Sequence, residues 1–568
     1  TMKSPLIPPL IASVTLRPPS SAANAEESVI TYEVAGLSSG GALLVGGPLI
    51  TEDMEVKLEL RGASVAPVAV TGRVSRHESL SGGRAALGVE FVNVTPAIEA
   101  SLAQALAEAY KSLGAQVLGR VRTEMQQRGM TDVARVAEEM QRIKDTQARA
   151  RLFGSDLYTE HGSDTVASIL SGTTGETREC VIWSLNLYLG LNREARVIER
   201  TREAVARFGT GCGTSAPSGG LNALHREIES RVSRMVHKPG VILFPTGYSA
   251  NLGALSALPG PRDLILLDRE SHASMFDGAR LSGRKWIAFQ HNDVADLASK
   301  LERYAPHHEN VFVAVESAYS MSGDLAPLRE IAALKRSHRF FLYVDEAHTF
   351  GFYGEEGRGY CHELGVSDDV DFIMSTFSKA TASIGGFFAS EEKYCTLLQA
   401  TATPYIFQAC LTPPDAATIL AALDEIERDP SHARRLHENN RYMRARLSRE
   451  GFDLGKSQSP VIPVYVADVD KLYRLCAHLQ LEGIYSVPVV YPAVGPNEGR
   501  IRFIVNAHHT HAQIDRTVSV LASYARTLGV IPERRRESIA PAPAPAERRP
   551  SRISGLPRRS DSVSPPSM

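Results

Sequence analysis

Between residues 340 and 388, two short apolar runs each stop at residues able to do chemistry. Phe340–Val344 reads FFLYV and runs straight into Asp345, with His348 three residues on. Phe372–Met374 leads through Ser375 to Thr376, Ser378 and Lys379. Runs that are apolar throughout, without alternation, fit strands buried on both faces, as in a parallel sheet. From about 150 to 530 such runs alternate with helical patterns, which predicts an α/β fold with a mostly parallel sheet and a small C-terminal α+β part.

An acid ending one strand and a lysine following the next suit pyridoxal phosphate (PLP). The lysine bonds to the cofactor, and the carboxylate pairs with the ring nitrogen and keeps the ring an electron sink. Asp-Glu-Ala-His alone is weak, because helicases carry a similar string. The chain has no GxxxxGK[ST] phosphate loop, which removes that reading. Around Lys379 other pieces fit the same cofactor. FPTGYSANLGALSAL (244–258) reads as a strand end, a turn and a helix whose first N–H groups would face a phosphate. His272 follows the apolar run 264–267, where an imidazole is either a satisfied structural group or stacks on the ring. VAVESAYSMSGDLAPL ends a strand at Glu316 and brings Ser320 into reach.

Residues 26–95 have a different texture. SVITYEV, GGALLV, MEVKLEL, PVAVTGRVSR and AALGVEFV alternate and are separated by glycines, which predicts a small β-barrel or sandwich, with the barrel taken as the reading over 26–112. A capping helix is expected over 96–113 and a helical connector over 113–150. The Pro-, Ser- and Ala-rich residues 1–25 read as a loose leader and a poor signal peptide. Residues 531–568, rich in Pro, Ser, Ala and Arg, read as disordered. Of the 568 residues 43% are hydrophobic and 22% charged, and the net charge of -2 points neither to nucleic acid nor to an anionic membrane surface. No apolar run approaches about 18 residues, so no membrane span is expected. The six scattered cysteines form no CxxC pair, which predicts free thiols in the cytoplasm and no metal site.

Nine pieces now stand in one order: SLNLYLGL (184–191), FGTGCGTSAPSGGLNALHREIE (208–229), TGYSAN (246–251), SHASMFDG (271–278), ESAYSMSGDLAPL (316–328), VDEAHTFGFYGEEGRG (344–359), TFSKATASIGG (376–386), YIFQACLTPP (405–414), and SPVIPV (459–464) through PAVGPNEGRIRF (492–503) to AHHT (507–510). In this order they resemble the α-oxoamine synthases, fold-type I PLP enzymes that include 8-amino-7-oxononanoate synthase and serine palmitoyltransferase. The resemblance implies a decarboxylative condensation of an amino acid with an acyl thioester, catalysed by a homodimer with its sites at the subunit interface. It implies that Lys379 bonds to PLP, Asp345 pairs with the ring nitrogen, and His272 stacks on the ring. His348 and Ser320 would sit near the phenolic oxygen, and Gly247, Tyr248, Thr376 and Ser378 would hold or flank the phosphate. Arg502 would take the substrate carboxylate, with Arg500 as its rival on the same strand face, and Asn186 would lie near the substrate entrance. Ser322 stands where the family often has aspartate, and Gln408 where it usually has Thr or Ser. An aminotransferase or lyase using the same lysine is the alternative within the fold. A scaffold built on a retired enzyme is the alternative outside it. The N-terminal strands, through LSSGG, GRV and LGVEF, resemble a PilZ domain, a barrel that often binds cyclic di-GMP. Gly36 stands where binding members have Asp or Asn, and only Arg17 precedes the barrel, with Arg73 and Arg76 on a strand. An interaction or structural role is therefore expected over nucleotide binding.

Overall fold

A computed structural model describes six strands between residues 11 and 92, the helix Val133–Arg149, residues 157–171, 177–490 and 497–532, and a few isolated positions between these. The predicted helix over 96–113, Arg17, the turn at 38–40 and the tail beyond 532 lie outside the described residues.

Six strands close the N-terminal barrel: β1 (Ile11–Leu16), β2 (Ser28–Leu37), β3 (Gly41–Val45), β4 (Glu55–Gly62), β5 (Val65–Ser79) and β6 (Ala85–Val92), in the order β1-β2-β3-β6-β5-β4. Alternate residues fill it, among them Leu44, Val56, Leu58, Leu60, Val70, Val74, Leu87 and Val89. The loose-leader reading of residues 1–25 needs correction, because β1 lies inside that span and pairs with both β2 and β4. Without it those strands would expose two open edges, which barrel closure removes. The signal was IASVTL, a strand-like hexapeptide hidden between prolines.

The α/β region is built on a seven-stranded sheet. Its strands are β10 (Gly240–Phe244), β11 (Leu264–Asp268), β12 (Lys285–Phe289), β13 (Val311–Glu316), β14 (Phe341–Asp345), β15 (Phe372–Thr376) and β16 (Gly386–Ser390). They follow the order β10-β16-β15-β14-β13-β11-β12. Six run in the same direction, and β16 is reversed, lying antiparallel to both β15 and β10. Because successive strand residues point to opposite faces, each apolar run feeds two cores. Leu264, Leu266, Val313, Val315, Leu342 and Val344 pack on one face. Ile265, Leu267, Phe312, Ala314, Tyr343 and Phe372 pack on the other. This is why the runs show no polar alternation.

Three strands precede this sheet: β7 (Leu157–Thr159), β8 (Val166–Ser171) and β9 (Thr177–Ile182). The C-terminal part adds β17 (Val461–Tyr465), β18 (Ile484–Tyr485), β19 (Val487–Val489) and β20 (Arg500–Ile504). β17, β20 and β19 make one antiparallel sheet, while β18 joins β9. The two ends of the α/β region are thereby tied together. Among the described residues no helix is long and apolar enough to cross a membrane.

Candidate active site

Register places the polar strand ends side by side. Glu316 ends β13 opposite Asp345 of β14, and Asp345 in turn lies opposite Met374 of β15, two residues short of Thr376. The C-terminal edge of a parallel sheet is where such folds bind ligands. A cavity of about 280 Å³ opens there. It is lined by eight of the residues singled out in the sequence, Gly247, Tyr248, His272, Asp345, His348, Thr376, Ser378 and Lys379.

The helix Gly247–Ala257 points its N-terminus into this cavity. Thr246 caps it, accepting the Ser249 N–H at 2.9 Å, which leaves the Gly247 and Tyr248 amides without helical partners. A side chain at Gly247 would lie 2.6 Å from Thr376 Cβ, so only glycine lets the helix start against β15. Thr376 Oγ1 donates to the Gly385 carbonyl at 2.9 Å and accepts the Ser378 N–H at 3.2 Å. Two hydroxyls and two free amides thus converge on one corner.

Burial and the Arg502 cation lower the Lys379 ammonium to about 8, against the pull of Asp345 and Glu316. Burial also holds His272 and His348 below their ordinary range, with the Lys379 and Arg502 cations adding to the effect. Tyr188 Oη lies 2.6 Å from His348 Nδ1. Burial pushes the tyrosine up and the imidazole down, so a protonated phenol faces a neutral imidazole. Glu316 is also pushed up, by burial and by the neighbouring Asp345 charge, and its Oε1 has no partner among the described residues.

Ser320, Asn186 and Arg502 form a second group beside this lining. Arg502 Nε donates to the Ser320 carbonyl at 2.6 Å, and its Nη2 to Asn186 Oδ1 at 3.1 Å. It is the Ser320 backbone, then, that makes this contact. Arg500 is only 2% exposed and donates to the Glu498 carbonyl and carboxylate, Tyr465 Oη and the Met321 carbonyl. Gln408 is exposed and does not line the cavity. Sequence reasoning gave no site role to Tyr188, Asn251 or Glu316. Glu316 carried a readable signal, an acid at the end of the strand beside Asp345.

The donor set fits PLP: a lysine for its aldehyde, an acid for its ring nitrogen, an imidazole for its face, and a corner of amides and hydroxyls for its phosphate. Residues 178–521 match the family model for aminotransferase class I and II, and residues 14–108 match that for the PilZ domain. The serine palmitoyltransferase of Sphingobacterium spiritivorum is 39% identical over 341 residues, which are 60% of this chain and 85% of that protein. The 8-amino-7-oxononanoate synthase of Symbiobacterium thermophilum is 34% identical over 354 residues, 62% of this chain and 90% of that protein. A solved serine palmitoyltransferase bound to PLP is 32% identical with a TM-score of 0.63, over 66% of this chain and 93% of that one. The chain belongs to the class I and II aminotransferase family of fold-type I PLP enzymes. Within that family it is an α-oxoamine synthase with an N-terminal PilZ domain, a PLP-dependent acyltransferase that condenses an amino acid with an acyl thioester and releases carbon dioxide.

Glu346, next to Asp345, faces away from the cavity lining and is fully buried. One oxygen accepts the Cys361 N–H at 2.7 Å, the other has no partner among the described residues, and burial raises the carboxyl from 4.5 to about 7. The folded state therefore holds this proton where the unfolded chain releases it, so stability falls as pH rises from 4.5 to 7 and levels off above. Over that window the loss is roughly 3 kcal/mol, at about 1.36 kcal/mol per unit. Glu346→Gln should flatten this part of the stability profile measured by denaturant unfolding. An unchanged slope would show that Glu346 is not its source.

Proposed function

We propose that this chain joins serine to a long-chain acyl thioester, and that Lys379, Asp345, His272, His348 and Arg502 carry the reaction. The substrate assignment is supported by similarity over nearly the whole α/β region to proteins named serine palmitoyltransferase, at up to 39% identity. An 8-amino-7-oxononanoate synthase at 34% identity keeps a second reading open, a different amino acid and a shorter acyl chain.

When bound, PLP supplies an electron sink beside the α-carbon of the amino acid. The chain's own residues do the rest. Asp345 would hold the ring nitrogen, His272 would cover a ring face, and His348 would stand near the phenolic oxygen. Gly247 and Tyr248 amides with the Thr376 and Ser378 hydroxyls would hold the phosphate. Arg502, fixed through Nε and Nη2, keeps Nη1 without a partner among the described residues, and this N–H is free for a substrate carboxylate. Lys379, with its amine lowered to about 8, can hold the α-proton on Nζ near neutral pH. The low polarity that lowers the lysine also keeps His348 neutral.

The purified enzyme is expected to release free thiol from a long-chain acyl-CoA only when serine is present, and Lys379→Ala to abolish this. Thiol release with alanine or glycine but not serine would reject the substrate assignment. Wild-type turnover by Lys379→Ala would reject the whole reading.

Removing Arg502 takes away a charge-assisted pair with the substrate carboxylate. Arg502→Ala should cost about 1.5–3 kcal/mol in serine binding, seen as a rise in KM of roughly ten- to 150-fold. Arg500→Ala, which strips bonds to Glu498, Tyr465 and Met321, should lower the melting temperature and leave KM near wild type. The opposite pattern would transfer the carboxylate site to Arg500.

A homodimer is the proposed assembly. Tyr248 and Ile384 line the cavity yet are each 45% exposed, and Phe407 is 79% exposed on the short helix packed against Gly247–Ala257. Exposed apolar groups at the mouth of a site mark a contact surface. Sedimentation should give the mass of two chains, and Phe407→Asp should reduce it. A single-chain mass for the wild type at micromolar concentration would contradict this.

A further inference from the structure

We propose that Asn251 is a positioning residue that sets both Asp345 and His272 through one chain of hydrogen bonds directed from Tyr343. The inference rests on the cofactor roles proposed above for Asp345 and His272.

The chain of bonds has only one consistent direction. Tyr343 lies two residues before Asp345 on β14, so both side chains point to the same face of the sheet. The Asp345 carboxylate can only accept, which turns the amide nitrogen of Asn251 toward it and leaves Oδ1 to accept from the Tyr343 hydroxyl at 2.8 Å. The amide nitrogen then has two hydrogens and two acceptors in reach. One is Asp345 Oδ2 at 2.7 Å, the other Ser274 Oγ at 3.0 Å. Ser274, accepting from Asn251, keeps its own proton for His272 Nδ1 at 2.7 Å. His272 Nδ1 is therefore an acceptor and its proton sits on Nε2. The Ser274 N–H reaches the same nitrogen at 3.3 Å, which reinforces that role. The second carboxylate oxygen, Asp345 Oδ1, accepts the Ala347 N–H at 2.8 Å.

Burial makes the arrangement strict. Tyr343 and Ser274 are fully buried, Asn251 is 1% exposed and Asp345 4%. With no water to compete, a broken link leaves a buried polar atom unpaired, which costs more than the bond itself was worth. Burial raises the Tyr343 phenol and lowers His272, so the tyrosine keeps its proton and the imidazole stays neutral, as the directions above require. Glycine makes the approach feasible. A side chain at Gly278 would sit 2.9 Å from the Asn251 carbonyl and 2.9 Å from Leu255 Cβ, so Gly278 allows the helix Ala273–Leu281 to lie backbone-close on Gly247–Ala257. One amide is thus placed between the acid meant for the ring nitrogen and the imidazole meant for the ring face.

Three full-length variants test this: Tyr343→Phe, Ser274→Ala and Asp345→Asn. For each, PLP affinity is measured by titrating the apo protein, the ring nitrogen of ¹⁵N-labelled bound PLP is followed by NMR, and melting is recorded. Tyr343→Phe should weaken PLP about tenfold, the cost of leaving one buried amide oxygen unpaired, and should move the ring-nitrogen resonance. Ser274→Ala should weaken PLP severalfold and leave that resonance in place, because it cuts only the imidazole branch. If Tyr343→Phe does not fold, Ser274→Ala still decides, since wild-type PLP affinity there breaks the chain of bonds. A lower melting temperature with PLP affinity and resonance unchanged in both variants would make the network merely structural and overturn the proposal. If Asp345→Asn loses PLP while both hydroxyl variants bind normally, the cofactor reading stands and the inference about Asn251 fails. If Asp345→Asn itself binds PLP like the wild type, the reading of Asp345 fails.

Discussion

A parallel sheet covered on both faces leaves polar side chains only one place to stand, the ends of its strands. In this chain that constraint collects Glu316, Asp345 and Thr376 on one edge, and it delivers Ser378 and Lys379 in the loop that follows. The cores on the two faces admit no charged residue along the central strands β13, β14 and β15 before their last positions, so the ionisable acids and the lysine are pushed out to a single line. Everything else in the site is arranged around that line. Two helices bring their N-termini to it, and the C-terminal sheet brings Arg502.

Charge balance explains why the edge tolerates so many ionisable groups. Two acids, a lysine and an arginine share this edge, so each group's protonation depends on the others. Burial alone would neutralise the lysine, and the two carboxylates oppose this and leave its amine at about 8. The same burial, with two cations nearby, keeps both imidazoles neutral and able to act as directional donors. A neutral histidine offers one donor and one acceptor, and its partners decide which nitrogen is which. Ser274, through its hydroxyl and its backbone N–H, makes that choice for His272.

Much of this edge was legible in the sequence because the signal was local. An apolar run that stops at Asp345, and another that reaches Lys379 within five residues of its end, can be read without knowing what lies beside them. The mostly parallel sheet, a small N-terminal β-domain and eight residues of the cavity lining followed from such runs and from motif order, though not the number of strands. What escaped depended on contacts distant in sequence. Tyr343 meets Asn251 from 92 residues away, and Tyr188 meets His348 from 160. Inside their motifs these residues look like ordinary strand and helix positions. Alternation placed Arg500 and Arg502 on one face but could not rank them. Only the folded chain shows Arg500 occupied by Glu498, Tyr465 and Met321. β1 was missed for a different reason, since the prolines around IASVTL mask a six-residue strand whose role is set by the edges of β2 and β4.

The central claim is that the cavity at the strand ends holds PLP on one particular lysine. Borohydride reduction of the purified holoprotein followed by peptide mass mapping addresses it directly. A single pyridoxyl addition on the peptide containing Lys379 is the predicted result. Labelling at a different lysine, or no stoichiometric addition after reconstitution with PLP, would contradict the account.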